Sequence, residues 1–67
     1  MVGANIRRLR LQQGMSQHDL AEKAGIRPPT LCRIETGQSY GRGKTIEKIA
    51  RALGVPVAEL WKDKEVV

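Results

Sequence analysis

The chain has 67 residues, a length that accommodates one small domain and leaves no room for a separate cofactor-binding domain. A single cysteine, Cys32, excludes an intramolecular disulfide, and no apolar run is long enough for a signal peptide or membrane span, so we expect a cytoplasmic protein. The net charge is +5, and residues 1–51 hold ten of the twelve basic residues but only four of the seven acidic ones. This excess predicts a polyanionic partner such as nucleic acid, the alternative being a solvated cationic surface.

The first predicted helix covers residues 4–13. Side chains recur there with the i, i+3, i+4, i+7 spacing of one helix face: Ile6, Leu9, Arg10 and Gln13. We expect Ile6 and Leu9 to face inward, and Gly14 to end the helix in a left-handed conformation.

The second predicted helix covers residues 17–24. Ser16 offers an N-cap hydroxyl, and Asp19 occupies the capping-box position at which glutamate or glutamine is preferred. Apolar residues line one face until Gly25 ends the helix: Leu20, Ala21 and Ala24.

The third predicted helix begins at two prolines, in the stretch GIRPPTLCRIETG. Proline has no backbone N–H and is tolerated best in the first turn of a helix, so the pair marks a helix start. Because Pro29 disfavours the helical conformation of the residue before it, we expect regular helix to begin at Pro29, with Pro28 extended. The helix should end at about Thr36.

A polar, glycine-rich loop separates the third helix from two more. Helical spacing before Gly54 predicts a fourth helix, and Pro56 opens a fifth helix of one or two turns. The apolar residues of these two helices are Ile46, Ile49, Ala50, Leu53, Val57, Leu60 and Trp61. Five short helices without an internal repeat predict an all-α fold.

The stretch GQSYGRGKT superficially matches a phosphate-binding P-loop. That motif has four residues between its first glycine and Gly-Lys-Thr, whereas five residues separate Gly37 from Gly43, and no hydrophobic strand precedes the stretch. With one histidine, one cysteine, no clustered carboxylates and no metal-ligand spacing, the sequence predicts no enzyme activity, cofactor or metal site.

Two helices joined by a short turn containing glycine form a helix-turn-helix unit, here SQHDLAEKAGIRPPTLCRIETG. Its SQHDLAEKAG and IETG segments, followed by IARALG, resemble the phage-repressor and Cro-like family, the xenobiotic-response-element class of regulators, from Ile6 to Leu60. The resemblance implies a compact five-helix, lambda-repressor-like DNA-binding domain over residues 1–67, with helices 2 and 3 forming the unit at about 16–37. It also implies a sequence-specific transcriptional regulator that acts by occupying an operator.

Members of this family place the second helix of the unit in the major groove while the preceding helix crosses the DNA backbone. Leu31 and Ile34 set the buried direction of the third helix. At about 100° per residue, four side chains then point away from the core: Pro29, Cys32, Arg33 and Thr36. Arg33 is the main candidate for base recognition because a guanidinium can bond to O6 and N7 of guanine, the alternative being a phosphate contact.

By resemblance, Pro28 and Pro29 occupy positions where family members often carry amide or hydroxyl side chains that read bases. Prolines can instead pack against a thymine methyl group and stiffen the reading end of the helix, the alternative being that they only start it. The base-reading candidates are Arg33, Pro28, Pro29, Cys32 and Thr36.

A second group of residues is expected to contact DNA phosphates. Gln17 opens the second helix, where unpaired N–H groups and the helix dipole favour an anion, and the matching glutamine of the family lies against the DNA backbone. Tyr40 is expected either to pack or to bond to phosphate. The phosphate candidates are Gln17, Ser16, Arg27, Tyr40, Arg42 and Lys44.

The resemblance also implies an ion pair between Arg10 and Glu35 beneath the helix-turn-helix unit, where it would orient the third helix. A partly buried pair of this kind need not add net stability.

We expect a homodimer on a palindromic operator in double-stranded DNA, because one short helix buries too little groove to select a site. The pairing surface should lie at the near-neutral C-terminal end, where the candidates are Val57, Trp61, Val66 and Val67. Plain core packing is the alternative for Trp61. No membrane or small-molecule substrate is expected as a partner. The alternative function is an antitoxin or adaptor module whose main partner is another protein.

Overall fold

The computed structural model describes residues 2–62, which form five α-helices and no strand. The helices are α1 (Val2–Gln12), α2 (Gln17–Ala24), α3 (Pro28–Glu35), α4 (Gly43–Leu53) and α5 (Val57–Trp61). The all-α fold is therefore confirmed, as are the predicted bounds of α2, while α1 begins two residues earlier than predicted and ends one residue earlier. No helix within residues 2–62 combines the length and apolar character needed to cross a membrane.

The N-terminus of α2 carries the predicted capping box. The Ser16 hydroxyl accepts a hydrogen bond from the Asp19 backbone N–H at 3.0 Å, and the Asp19 carboxylate accepts one from the Ser16 N–H at 3.1 Å. Hydrogen bonds that the Asp19 carboxylate accepts, first from the Ser16 N–H and second from the Ser16 hydroxyl, lower the pKa of Asp19 below its ordinary value. At the other end of α2, Gly25 adopts a φ of +75°, which an L side chain rarely does.

The prediction of an extended Pro28 is wrong, because α3 begins at Pro28 itself. The extended residue is Arg27, with φ −82° and ψ 141°, which also precedes a proline. Its carbonyl oxygen accepts hydrogen bonds from the N–H groups of Thr30 and Leu31 at 3.0 and 3.3 Å. Closing this first turn requires a helical Pro28, and the hydrogen bonds together with the burial of Leu31 outweigh the steric preference at Pro28.

The five helices enclose one apolar core to which each of them contributes. α2 packs against both α3 and α4, and α1 packs against both α3 and α5. Leu9 packs at the edge of this core and remains partly exposed. The buried apolar residues are Val2, Ile6, Leu20, Ala21, Ala24, Leu31, Ile34, Ile46, Ile49, Ala50, Ala52, Leu53 and Leu60.

Two polar side chains, one in α1 and one immediately after it, bond to the ends of distant helices. The buried Asn5 amide donates to the carbonyl oxygens of Leu60 and Lys62, both at 2.7 Å, and so closes the C-terminal end of α5. The Gln13 amide donates to the Leu53 carbonyl oxygen at 2.8 Å, at the end of α4. Sequence periodicity placed Gln13 at the same helical spacing as Ile6 and Leu9 but gave no signal for Asn5.

The N-terminus of α1 lies directly against the end of α3. A Cβ atom added to Gly3 would collide with the Ile34 carbonyl oxygen and lie 3.0 Å from that of Glu35. Because both obstacles are backbone atoms, no rotamer change can relieve the collision. Gly3 is therefore required by the close approach of two helices.

Gly3→Ala should lower the free energy of unfolding by about 1–3 kcal/mol, because the added methyl group forces α1 away from α3. Urea denaturation followed by far-ultraviolet circular dichroism measures this change.

The matched control is Gly43→Ala, at the first residue of α4, where an added Cβ meets nothing within 4 Å. This variant should be stabilised by about 0.4–1 kcal/mol through the reduced entropy of its unfolded chain. Equal responses of the two variants would contradict the close approach at Gly3.

Candidate nucleic-acid interface

One face of α3 is buried and the other is open to solvent. Leu31 and Ile34 are almost completely buried, which fixes the orientation of the helix. All five side chains assigned to base reading are exposed: Pro28, Pro29, Cys32, Arg33 and Thr36. The structure therefore brings these residues together on one accessible strip of the surface.

Arg33 and Thr36 differ in how much of their hydrogen-bonding capacity remains available. Arg33 takes part in neither of the ion pairs found within residues 2–62. The Thr36 hydroxyl lies 2.9 Å from the Cys32 carbonyl oxygen and 3.3 Å from that of Arg33, to which it donates within the helix end. The hydroxyl hydrogen of Thr36 is thus used internally, whereas the guanidinium of Arg33 remains available.

The loop after α3 is attached to that helix and to the core. The Arg33 carbonyl oxygen accepts hydrogen bonds from the N–H groups of Gln38 and Ser39 at 2.9 and 3.2 Å. At Gly41, with φ +75°, a Cβ atom would lie 3.0 Å from the Ile34 side chain and 3.1 Å from that of Ile46. Glycine therefore lets this loop lie directly on the core.

Three of the phosphate candidates lie in this loop or at the start of α4. Tyr40 is 76% exposed, so it does not pack into the core. Arg42 is the N-cap residue of α4, and Lys44 lies in the first turn of that helix, both with exposed side chains. The exposed Arg27 occupies the equivalent N-cap position of α3. Cationic side chains thus stand at the starts of both helices.

The N-terminus of α2 supplies the remaining phosphate candidates, Ser16 and Gln17. The Ser16 hydroxyl already caps the helix through Asp19. Within residues 2–62, no acceptor is found for the backbone N–H groups of Gln17 and His18, which leaves two donors at the positive end of the helix. The Gln17 side chain is half-buried, and its Nε2 donates to Glu35 Oε1 at 3.0 Å. This last contact has no signal in the sequence.

Arg10 and Glu35 form a buried, bidentate ion pair between α1 and α3. Arg10 Nε lies 2.8 Å from Glu35 Oε2, and Arg10 Nη2 lies 3.0 Å from Glu35 Oε1. Arg10 Nη1 also donates to the Met15 carbonyl oxygen at 2.8 Å. The side chains are 8% and 1% exposed, so both charges are shielded from water and held by directed hydrogen bonds.

The residues expected at a pairing surface have different environments. Val57 packs against the core and is half-buried, whereas Trp61 is 50% exposed. Leu11 of α1, which sequence reasoning did not single out, is 54% exposed. Val66 and Val67 lie outside the described residues. Trp61 is therefore the member of the expected set that combines a large apolar side chain with accessibility.

A family model described as helix-turn-helix matches residues 6–60. The chain belongs to this helix-turn-helix family, the Cro-like type to which its motifs pointed. Among its relatives, the cryptic phage CTXphi transcriptional repressor RstR of Vibrio cholerae is 35% identical over 97% of this chain. The chain spans 59% of the length of RstR. Multiprotein-bridging factor 1 of Candida glabrata is 39% identical over 81% of this chain, which corresponds to 36% of that protein.

Solved structures with the same fold include the N-terminal DNA binding domain of SinR from Bacillus subtilis. It has a TM-score of 0.89 and 33% sequence identity, and the match covers 98% of this chain and 97% of that domain. The clp gene regulator ClgR from Corynebacterium glutamicum has a TM-score of 0.83 and 28% identity, over 90% of this chain and 64% of ClgR.

The Arg10–Glu35 contact predicts a large coupling energy. Glu35→Leu alone should destabilise the fold by about 3–5 kcal/mol, because it leaves the Arg10 guanidinium buried and unpaired. The double variant Arg10→Met with Glu35→Leu should be close to the wild type in stability, because both charges are removed together.

A double-mutant cycle measures this coupling: the free energy of unfolding is determined by urea denaturation for the wild type, Arg10→Met, Glu35→Leu and the double variant. Destabilisations that simply add would contradict energetic coupling between the two side chains.

Proposed function

We propose that the chain is a sequence-specific DNA-binding transcriptional regulator that acts by occupying an operator. The observation that carries this proposal is the exposed strip of α3, which occurs together with unpaired N–H groups at the start of α2 and exposed cationic side chains at the start of α4. Similarity to the SinR DNA binding domain and to the repressor RstR supports the same conclusion. In this proposal α3 enters the major groove and α2 crosses the DNA backbone.

Base recognition is proposed to rest on Arg33, whose exposed guanidinium can donate two hydrogen bonds to one guanine. Pro28 and Pro29 form the apolar start of the same strip and suit contact with a thymine methyl group. Cys32 is a small neighbour of Arg33 on this strip, and Thr36 retains its methyl group and oxygen lone pairs for contact.

Two groups of phosphate contacts are proposed outside this strip. The first group is Ser16 and Gln17, with the unpaired N–H groups at the start of α2. The second group is carried by the loop and by the start of α4: Tyr40, Arg42 and Lys44. Arg27, at the start of α3, completes the set. These contacts would fix the protein on the duplex without reading its sequence.

A symmetric dimer on a palindromic operator is proposed because a single eight-residue helix reads too few base pairs to select one site. Trp61 is proposed as the pairing anchor, since half of its surface is exposed at the end of α5. Val57 would support it from the same helix.

A second candidate function is an adaptor whose main partner is another protein. Its support is the similarity to multiprotein-bridging factor 1 of Candida glabrata. The two functions differ in their dependence on salt, because counterion release makes DNA binding fall steeply as salt rises, whereas an apolar protein interface changes little.

Arg33→Ala should weaken binding to the DNA site that the wild type selects by about 1–3 kcal/mol, and it should relax the preference at one base position in each half-site. Selection of bound duplexes from a random library, followed by fluorescence anisotropy on the selected site, measures both effects.

Lys44→Ala is the matched control, since it also removes one exposed cation. It should weaken all sequences about equally and reduce the salt slope by about 1, because the contact is with phosphate. An Arg33→Ala protein with unchanged base preference would exclude Arg33 as a base reader. A wild type that selects no sequence would exclude the proposed function.

Trp61→Ala should weaken self-association and binding to a duplex with two half-sites more than binding to a single half-site, because the pairing surface loses its largest apolar side chain. Sedimentation at micromolar protein, with and without each duplex, tests this expectation. Leu11→Ala, which truncates an equally exposed apolar residue of α1, is the control. A wild type that remains monomeric on the two-half-site duplex would refute the dimer.

A further inference from the structure

We propose that Glu35 is a positioning residue that holds the side-chain amide of Gln17 in the orientation needed to donate to a DNA phosphate. This proposal rests on the proposed DNA-binding function and concerns one contact within it. It assigns to the buried Arg10–Glu35 pair a role in binding that is separate from the orientation of α3.

Three donors converge on the Glu35 carboxylate. Arg10 supplies two of them, at 2.8 and 3.0 Å, and Gln17 Nε2 supplies the third at 3.0 Å. Arg10 Nη2 and Gln17 Nε2 share the same acceptor, Glu35 Oε1. The carboxylate and the guanidinium are buried, whereas Gln17 is half-buried and reaches the surface at the first residue of α2. Gln17 is therefore the residue through which this hydrogen-bond network reaches the protein surface.

The charge of Glu35 determines which atom of the Gln17 amide faces inward. An ionised carboxylate paired with arginine can only accept hydrogen bonds, so the amide must present its nitrogen to it. The flipped amide would place the Gln17 carbonyl oxygen against the carboxylate, which is repulsive and leaves the bond unmade. One N–H of Nε2 is used by Glu35, and the second N–H points away from it.

That second N–H belongs to the first residue of α2, the end of the helix best suited to an anion. The backbone N–H groups of Gln17 and His18 have no acceptor within residues 2–62, and α2 directs the positive end of its dipole to the same place. A phosphate there could accept from the Gln17 backbone and side chain together. Because the amide is already held by Glu35, it loses less rotamer freedom on binding than an unrestrained glutamine would.

The role of Glu35 in this contact is separable from its role in stability. The variant Arg10→Met with Glu35→Leu removes both buried charges, so it leaves no unpaired ion in the core and retains the apolar volume of the site. It also removes the acceptor of the Gln17 amide. Any loss of DNA affinity that acts through Gln17 must then disappear when Gln17 is already absent.

The experiment is a double-mutant cycle on DNA affinity between this pair replacement and Gln17→Ala, measured by fluorescence anisotropy on the selected duplex and on a scrambled duplex. The pair replacement should weaken binding about 2-fold to 12-fold, the equivalent of one hydrogen bond, and equally on both duplexes. In the Gln17→Ala background it should cause no further loss.

Lys44→Ala serves as the matched control, because it removes a proposed phosphate contact at α4 that does not touch the network. Its effect and that of the pair replacement should add. The proposal is overturned if the pair replacement weakens binding equally with and without Gln17, which would mean that it acts through the orientation of α3. It is also overturned if the pair replacement leaves the affinity unchanged.

A second measurement uses the wild type alone and does not depend on folding of the variants. The side-chain ¹⁵N heteronuclear NOE of Gln17 should approach the backbone values in the DNA-free protein, whereas that of the exposed Gln12 should be low. A Gln17 amide as mobile as that of Gln12 would refute the positioning. A wild type that binds no DNA would instead refute the proposed function. The mobility of the Gln17 side-chain amide could still be measured in that case, so the two failures are distinguishable.

Discussion

The buried carboxylate of Glu35 is the point at which three helices are tied together. Glu35 is the last residue of α3, and its carboxylate accepts two hydrogen bonds from Arg10 of α1 and one from Gln17 of α2. A charge shielded to this degree is tolerated only when it is paired and hydrogen-bonded. The relative positions of the two helices of the helix-turn-helix unit are therefore linked through one side chain, and any change at that side chain affects both.

The close approach of the α1 backbone to the end of α3 makes this arrangement possible. Gly3 lets the start of α1 rest on the last carbonyl groups of α3, so that Arg10, two turns further along α1, lies beside Glu35. Asn5 then fastens the same helix to the end of α5. α1 thus holds the helix-turn-helix unit in position, although it is not one of the two helices of that unit.

The proposed DNA surface is a consequence of how α3 is buried. With Leu31 and Ile34 fixed in the core, the opposite side of the helix has no protein to pack against. The loop that follows is attached to α3 through the Arg33 carbonyl oxygen and lies on the core at Gly41, which leaves the side chain of Tyr40 in solvent. The positions of the exposed side chains of α3 and of this loop are therefore linked by backbone hydrogen bonds and core contacts.

The sequence by itself determined the local features: the five helices, the capping box at Ser16, the position of the proline pair and the outward face of α3. Each of these depends on groups a few residues apart, whose geometry is set by the helix itself. Tertiary structure decided that Pro28 is helical, that Gly3 is a packing contact, and that the Asn5 amide closes α5. It also turned Gln17 towards Glu35, eighteen residues away. Contacts of that kind depend on how helices cross, and no periodicity or capping signal records the crossing.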